Sequence, residues 1–216
     1  VWDEDNPSRP WARAGDGSLL APIIDGGWSI LVTRQQMAAR ARELGRELTA
    51  ALTPGTRPPV FIGILKGSTL FHADLVRCVE LDLTIDFMSI SSYAEAAAGG
   101  GVVRIIKDLD QDIAGRDAII VEDIVDTGFT LNYLRRHILA REPASLRTVA
   151  LLDKSARRIV PVPLEHRGFE IPDVFVVGYG LDYQARYRNL RDIVAVSDLA
   201  ALTRDPQMLV ASLYAE

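Results

Sequence analysis

The chain has 216 residues, 48% of them apolar and 25% charged, with a net charge of −5. That length suits one domain with a sizeable core, or a core plus a small second lobe, and the acidic balance argues against a nucleic-acid-binding face. A single cysteine, Cys78, excludes an intramolecular disulfide; no apolar run approaches the ~18 residues of a membrane span, so a cytoplasmic location is the default expectation.

Residues 1–29 are rich in Gly, Pro, Asp and Ser and are expected to form an irregular arm carrying Trp2, Trp11 and Trp28. Thr33 with Gln36 makes a capping-box signature, which predicts a helix from about Arg34 to Ala51, ending before Thr53-Pro54-Gly55. Val60 to Leu65 predicts a buried strand, Thr69 to Val79 a helix, and Leu83 to Met88 a half-buried strand. Residues 91–101 end in three glycines, which resist a fixed conformation and predict a mobile segment. Strands are predicted at Val102–Ile106, Ala118–Val121 and Leu146–Leu152, with a helix from about Leu131 to Leu139. Strands alternating with helices favour a doubly wound, mostly parallel α/β sheet over residues 30–200. After Asp153 the pattern breaks at Pro161, Pro163 and Pro172, and the short runs Val174–Val177 and Ile193–Val196 point to a smaller lobe. A last helix is expected over residues 206–214, within a tail of residues 201–216.

The most informative stretch is Glu122-Asp123-Ile124-Val125-Asp126-Thr127-Gly128-Phe129-Thr130, placed between a strand and a helix. Open α/β sheets bind ligands at such carboxyl strand ends. Residues 127–130 can aim backbone N–H groups and two hydroxyls at a phosphate, helped by the helix dipole. Three carboxylates just before that cradle would repel a bare phosphate. They suit a ligand that also carries hydroxyls or Mg²⁺, such as a phosphorylated sugar with a vicinal diol and a metal-bound pyrophosphate. A plain acidic turn with threonine caps is the bland alternative.

Only three of the 24 basic side chains are lysines: Lys66, Lys107 and Lys154, each beside an apolar run. Where arginine is the default, a lysine hints at a site needing a compact ammonium. Lys66-Gly67-Ser68 leaves a strand for a helix, a second anion site of the same physical type. Phe175 and the Val176 backbone, before the glycine-flanked turn 178–180 and Asp182, could hold a flat base, although on this segment alone a core Phe on an edge strand is the simpler reading. His72, His137 and His166 have no metal-ligand spacing and are expected to be solvated or satisfied.

Taken together, Leu65-Lys66-Gly67, Ser91-Ser92-Tyr93, residues 105–110, the 121–131 stretch, Leu151-Leu152-Asp153-Lys154, residues 168–173 and residues 175–183 resemble the hypoxanthine-guanine branch of the type I phosphoribosyltransferase family, closest to its bacterial members. The resemblance spans about residues 30–197. It implies a mostly parallel twisted sheet flanked by helices, with a small hood lobe. It implies transfer from phosphoribosyl pyrophosphate (PRPP) to a 6-oxopurine, with Mg²⁺ as cofactor and a homodimer or homotetramer as assembly.

The resemblance also implies residue roles. Glu122 and Asp123 hold the ribose hydroxyls, directly or through Mg²⁺. Asp126 faces the purine N7 as general base. Residues Asp126, Thr127, Gly128, Phe129 and Thr130 take the 5′-phosphate. Lys66 and Gly67, across a cis peptide, and Arg188 take pyrophosphate. Lys154 donates to the purine O6 beside Phe175 and Val176, Asp182 binds a second Mg²⁺, and Ser92 and Tyr93 ride on the closing loop.

The loop Ala94-Glu95-Ala96-Ala97-Ala98 and the bulky Phe129 depart from the bacterial pattern. They keep open a modified purine, such as a deazapurine, as substrate. A PRPP- or nucleotide-binding regulator is the competing class. It calls for a basic surface or an added nucleic-acid module, and the chain has neither.

Overall fold

Apolar runs alternating with amphipathic stretches build an α/β architecture in the computed structural model, which describes residues 12–14, 19–20, 23–25, 27–52, 57–93, 102–207 and 209–210. The chain runs through β1 (Ala12–Ala14), β2 (Leu19–Leu20), β3 (Ile23–Asp25), β4 (Trp28–Val32), α1 (Arg34–Ala51), β5 (Val60–Leu65), α2 (Thr69–Val76), β6 (Thr84–Tyr93) and β7 (Val102–Lys107). It continues as β8 (Asp117–Val125), α3 (Phe129–Leu139), β9 (Ser145–Asp153), a 3₁₀ turn (Ser155–Arg157), β10 (His166–Glu170), β11 (Phe175–Val177), β12 (Ile193–Val196) and α4 (Leu199–Arg204). The main sheet has the order β2-β1-β10-β9-β8-β5-β6-β7 and is parallel from β10 to β6. A second sheet, β11-β12-β4-β3, is antiparallel and forms the hood. The expected architecture is therefore the observed one.

Strand periodicity sorts the core into two layers. Phe61, Ile119, Val121, Val149 and Leu151 face Met37, Leu44 and Leu48 of α1 and Phe71 and Leu75 of α2. Val60, Ile62, Ile120 and Ala150 face Leu131, Leu134 and Ile138 of α3. Each such fully buried side chain contributes roughly 1.5–3 kcal/mol. The hood has its own core of Val177, Tyr187, Leu190, Val194, Val196 and Leu202. Among the described residues no helix is long and apolar enough to cross a membrane.

The topology opens a cleft. β5 leads through α2 to β6 on one side, and β8 leads through α3 to β9 on the other. The direction therefore switches between neighbours β5 and β8, the usual ligand position in such sheets. The β5–β8 ladder ends at Gly63 and Val121, whereas the β8–β9 ladder continues to Val125 and Asp153. Beyond Val121 the two strand ends part, leaving residues 64–67 and 122–130 as facing walls.

Several boundaries differ from expectation. β8 runs on through Glu122 to Val125, because pairing with β9 outlasts pairing with β5. β6 extends to Tyr93, because β7 pairs along it. α2 stops at Val76 rather than Val79; the chain must turn where the Cys78 backbone abuts Gly45 of α1. The stretch expected to be an irregular arm contributes three short strands. A further short helix, α4, is capped by Asp198, whose side chain accepts from the Ala201 N–H at 2.7 Å, and ends before Pro206; the helix expected over residues 206–214 lies largely outside the described residues. The glycine-rich segment expected to be mobile falls at residues 94–101, outside the described residues. His72 is buried beside the Phe61 carbonyl and His137 lies 3.2 Å from Asp108, as expected, whereas His166 has its Nδ1 3.2 Å from Glu47 but its buried Nε2 without a hydrogen-bond partner.

Candidate active site

A cavity of about 300 Å³ occupies the cleft between β5 and β8. It is lined by Lys66 and Gly67 from one wall, by Glu122, Asp123, Asp126, Thr127, Gly128 and Thr130 from the other, and by Asp182 and Arg188 of the hood. Ile64, Leu65, Ile90 and Leu131 add apolar surface, which the motif-based reading did not foresee.

The anion end is the start of α3. Gly128 adopts φ +90° as its N-cap, with no side-chain cap. The first N–H groups of the helix are thus left for a ligand, and the dipole favours an anion there. The loop is held from behind, where the Thr127 carbonyl accepts from Ile159 and Val160 N–H at 2.9 and 3.0 Å. A Cβ at Gly128 would lie 2.5 Å from the Val160 carbonyl oxygen, so only glycine fits both the φ and the space. Phe129 turns outward, 54% exposed, leaving only its backbone near the cradle.

At the opposite end, a cis peptide is present, and it joins Leu65 to Lys66. Gly67 is wedged between the Asp123 carboxylate and Gly180 of the hood turn. Arg188 donates to the Gly180 carbonyl at 2.6 Å and pairs with Asp182 at 2.7 Å. Asp182 also accepts from the Ala185 N–H at 2.7 Å.

Burial lifts the Glu122 carboxyl well above the ordinary range, and Asp123 beside it adds to the rise. Burial likewise pushes Asp123 up to about 6, against the opposing pull of backbone N–H groups and of Arg188. Two neighbouring carboxyls that resist ionisation suit a divalent cation, which would supply the missing positive charge. Among the described residues no three acidic, His or Cys side chains form a ready-made cage. That is compatible with Mg²⁺, which keeps several waters and substrate phosphates as ligands.

Asp126 closes the cavity on the β9 side. Its Oδ1 is buried and accepts no hydrogen bond, although Arg157 Nε lies 3.0 Å away without directing its N–H at it. Lys154 is buried, its N–H donates to the Val125 carbonyl, and its Nζ lies 3.8 Å from Asp173. Burial lowers its pKa, while Asp126 and Asp173 oppose that shift.

Lys154, Phe175 and Val176 do not line the cavity itself. Phe175 sits on the hood with its ring edge-on to Tyr183, centroids 5.8 Å apart, and Val176 belongs to the edge strand β11. Ser92 and Tyr93 end β6, paired with Val103 and Val102. Sequence reasoning missed Arg157, Asp173 and the seat of Gly180 on Gly67. The paired glycines at 178 and 180 were the one local signal.

The phosphoribosyl transferase domain family matches residues 27–184. The chain is 48% identical over 167 residues to the hypoxanthine-guanine phosphoribosyltransferase of Mycobacterium avium, covering 75% of this chain and 82% of the relative. It is 47% identical over 161 residues to the hypoxanthine phosphoribosyltransferase of Escherichia coli K12, covering 74% and 90%. A crystallised mutant hypoxanthine phosphoribosyltransferase of Trypanosoma cruzi, in a ternary substrates complex, superposes with a TM-score of 0.73 at 42% identity, covering 77% of this chain and 94% of the other.

Proposed function

The chain belongs to the phosphoribosyltransferases, in their hypoxanthine-guanine branch, and we propose that the cavity between β5 and β8 is where it moves a 5-phosphoribosyl group from PRPP to hypoxanthine or guanine. The activity is one of purine salvage: IMP or GMP forms and pyrophosphate leaves. The observation that carries the choice of place is convergence. Lys66–Gly67, residues 122–130 and the hood pair Asp182–Arg188 are far apart in sequence and meet on one cavity.

In this reading each part of the site takes one portion of the substrates. Thr127, Gly128, Thr130 and the Phe129 backbone hold the 5′-phosphate at the start of α3. Glu122 and Asp123 face the ribose hydroxyls, and Lys66, Gly67 and Arg188 take the pyrophosphate. Glu122, Asp123 and Asp182 would hold Mg²⁺, which when bound supplies positive charge opposite the leaving group. Asp126 accepts the N7 proton while the purine N9 bonds to C1′; the C1′–oxygen bond breaks and its electron pair leaves with pyrophosphate. Lys154 donates to the purine O6, with Phe175 and the Val176 backbone completing the base subsite. Ser92 and Tyr93 lie where a closing loop would shield the reacting centre from water. Phe129 points away from the cavity and so lends no support to a modified purine. Assembly as a homodimer or homotetramer belongs to the same proposal, and light scattering decides it.

Asp126→Asn tests the mechanism. Turnover should fall by roughly 10²–10⁴, while calorimetry still detects PRPP binding. Near-normal turnover would remove Asp126 from the reaction.

A further inference from the structure

We propose that Arg157 is a positioning residue for Asp126, holding its carboxylate in place by charge at the buried Oδ1 while leaving Oδ2 free to accept the purine proton. This rests on the reading of Asp126 as proton acceptor.

Arg157 ends the 3₁₀ turn that begins just after Lys154. That turn is fixed to the motif from both ends. Before it, the Lys154 N–H donates to the Val125 carbonyl at 2.9 Å; after it, the Ile159 and Val160 N–H groups donate to the Thr127 carbonyl at 2.9 and 3.0 Å. The guanidinium therefore starts from an anchored backbone. Its Nε lies 3.0 Å from Asp126 Oδ1, and its Nη1 lies 3.3 Å from Asp173 Oδ1. One cation is thus shared by two carboxylates, and Lys154 reaches the second of them.

The contact with Asp126 has an unusual quality. Oδ1 is buried and accepts no hydrogen bond even with Arg157 beside it. Coulomb attraction depends on distance, whereas a hydrogen bond also needs direction. Arg157 can therefore restrain the carboxylate from the buried Oδ1 side and leave the lone pairs of Oδ2, on the exposed part of the side chain, for a purine N–H. The neighbouring Arg158 has a different task. Its Nε donates to the Asp126 backbone carbonyl at 3.0 Å, and its Nη2 pairs with buried Asp153, which fixes the main chain. Arg158 sets where residue 126 lies, and Arg157 sets where its side chain lies. The Arg157 and Asp126 side chains are 45% and 40% exposed, and such pairs contribute little to folding. The consequence belongs in turnover rather than stability.

A double-mutant cycle in the full chain tests this. Arg157→Gln should lower kcat roughly tenfold, with KM for PRPP within about twofold and an unchanged melting temperature, and Arg157→Lys should recover most of the loss. On an Asp126→Asn background, Arg157→Gln should cause no further loss; on an Asp173→Asn background its full effect should persist. An equal loss on the wild-type and Asp126→Asn backgrounds would overturn this proposal and leave Asp126 as the base. Normal turnover of Asp126→Asn would overturn both readings. Should Arg157→Gln fail to fold, its role is structural and the proposal falls, unless folded Arg157→Met shows the same kcat loss coupled to Asp126.

Discussion

Gly67 lies so close to Asp123 that a Cβ on it would stand 1.6 Å from the carboxylate oxygen Oδ2, and its own carbonyl oxygen would stand 2.0 Å from a Cβ on Gly180. The two walls and the hood therefore meet at one residue with no side chain. Gly67→Ala must push apart the groups proposed to bind pyrophosphate and ribose. A displacement of about 1 Å at a reacting centre costs on the order of 10² in rate. The kcat/KM for PRPP should fall by about that factor with the far-ultraviolet spectrum unchanged. Activity within threefold of wild type would show that the cleft relaxes freely.

The buried acids give a pH dependence with a definite sign. Asp123 rises from 3.8 to about 6 on folding, and Glu122 also rises. Between those values the folded state binds more protons than the unfolded state, so stability falls as pH climbs through that window. The full two-unit rise corresponds to at most about 3 kcal/mol. Metal-free Asp123→Asn should accordingly melt higher than wild type at pH 7.5, and the difference should shrink at pH 5. Mg²⁺-dependent PRPP affinity should weaken as pH drops below about 6, because the cation must displace those protons. A metal-free variant that melts lower than wild type at pH 7.5 would refute the burial argument.

Gly128 combines a positive φ with a tight contact to the Val160 carbonyl. Gly128→Ala should destabilise the fold by about 1–3 kcal/mol and weaken IMP binding more than hypoxanthine binding, since only the nucleotide carries the phosphate. Thermal melting and calorimetry with the two ligands read this out. Equal weakening of both would move the phosphate elsewhere.

Lys154 donates and cannot accept, so it favours a purine with an acceptor at position 6. An unpaired buried polar group costs ~1–3 kcal/mol, about one to two decades of selectivity. Lys154→Met should narrow the preference for hypoxanthine over adenine, mainly by slowing hypoxanthine turnover. Competition kinetics showing an undiminished preference would take Lys154 out of base selection.

What the sequence made legible follows from where its signals are local. The Thr33–Gln36 box and Pro54-Gly55 bracket α1, and the resulting helix spans Arg34–Ala51. Apolar runs marked β5, β9 and β12, but polarity hid the end of β8: Glu122 and Asp123 look like loop residues and are held in the strand by β9. The strands β1 and β2 were invisible because Gly- and Pro-rich composition says nothing about which edge of a distant sheet a segment will join, whereas β3 pairs with the adjoining β4, Asp25 opposite Trp28, a local hairpin that was missed. In the cavity, the phosphate cradle was readable because one contiguous segment builds it. The contacts of Arg157 with Asp126 and of Gly180 with Gly67 were not, since each depends on how separate loops meet after the sheet has formed.

Pyrophosphate release from PRPP, followed in parallel with hypoxanthine, guanine and adenine and with Mg²⁺ present or chelated, tests the account most directly. Release with hypoxanthine or guanine should exceed that with adenine at least ~tenfold and should vanish on chelation. Comparable use of adenine, or release that persists without the metal, would contradict it.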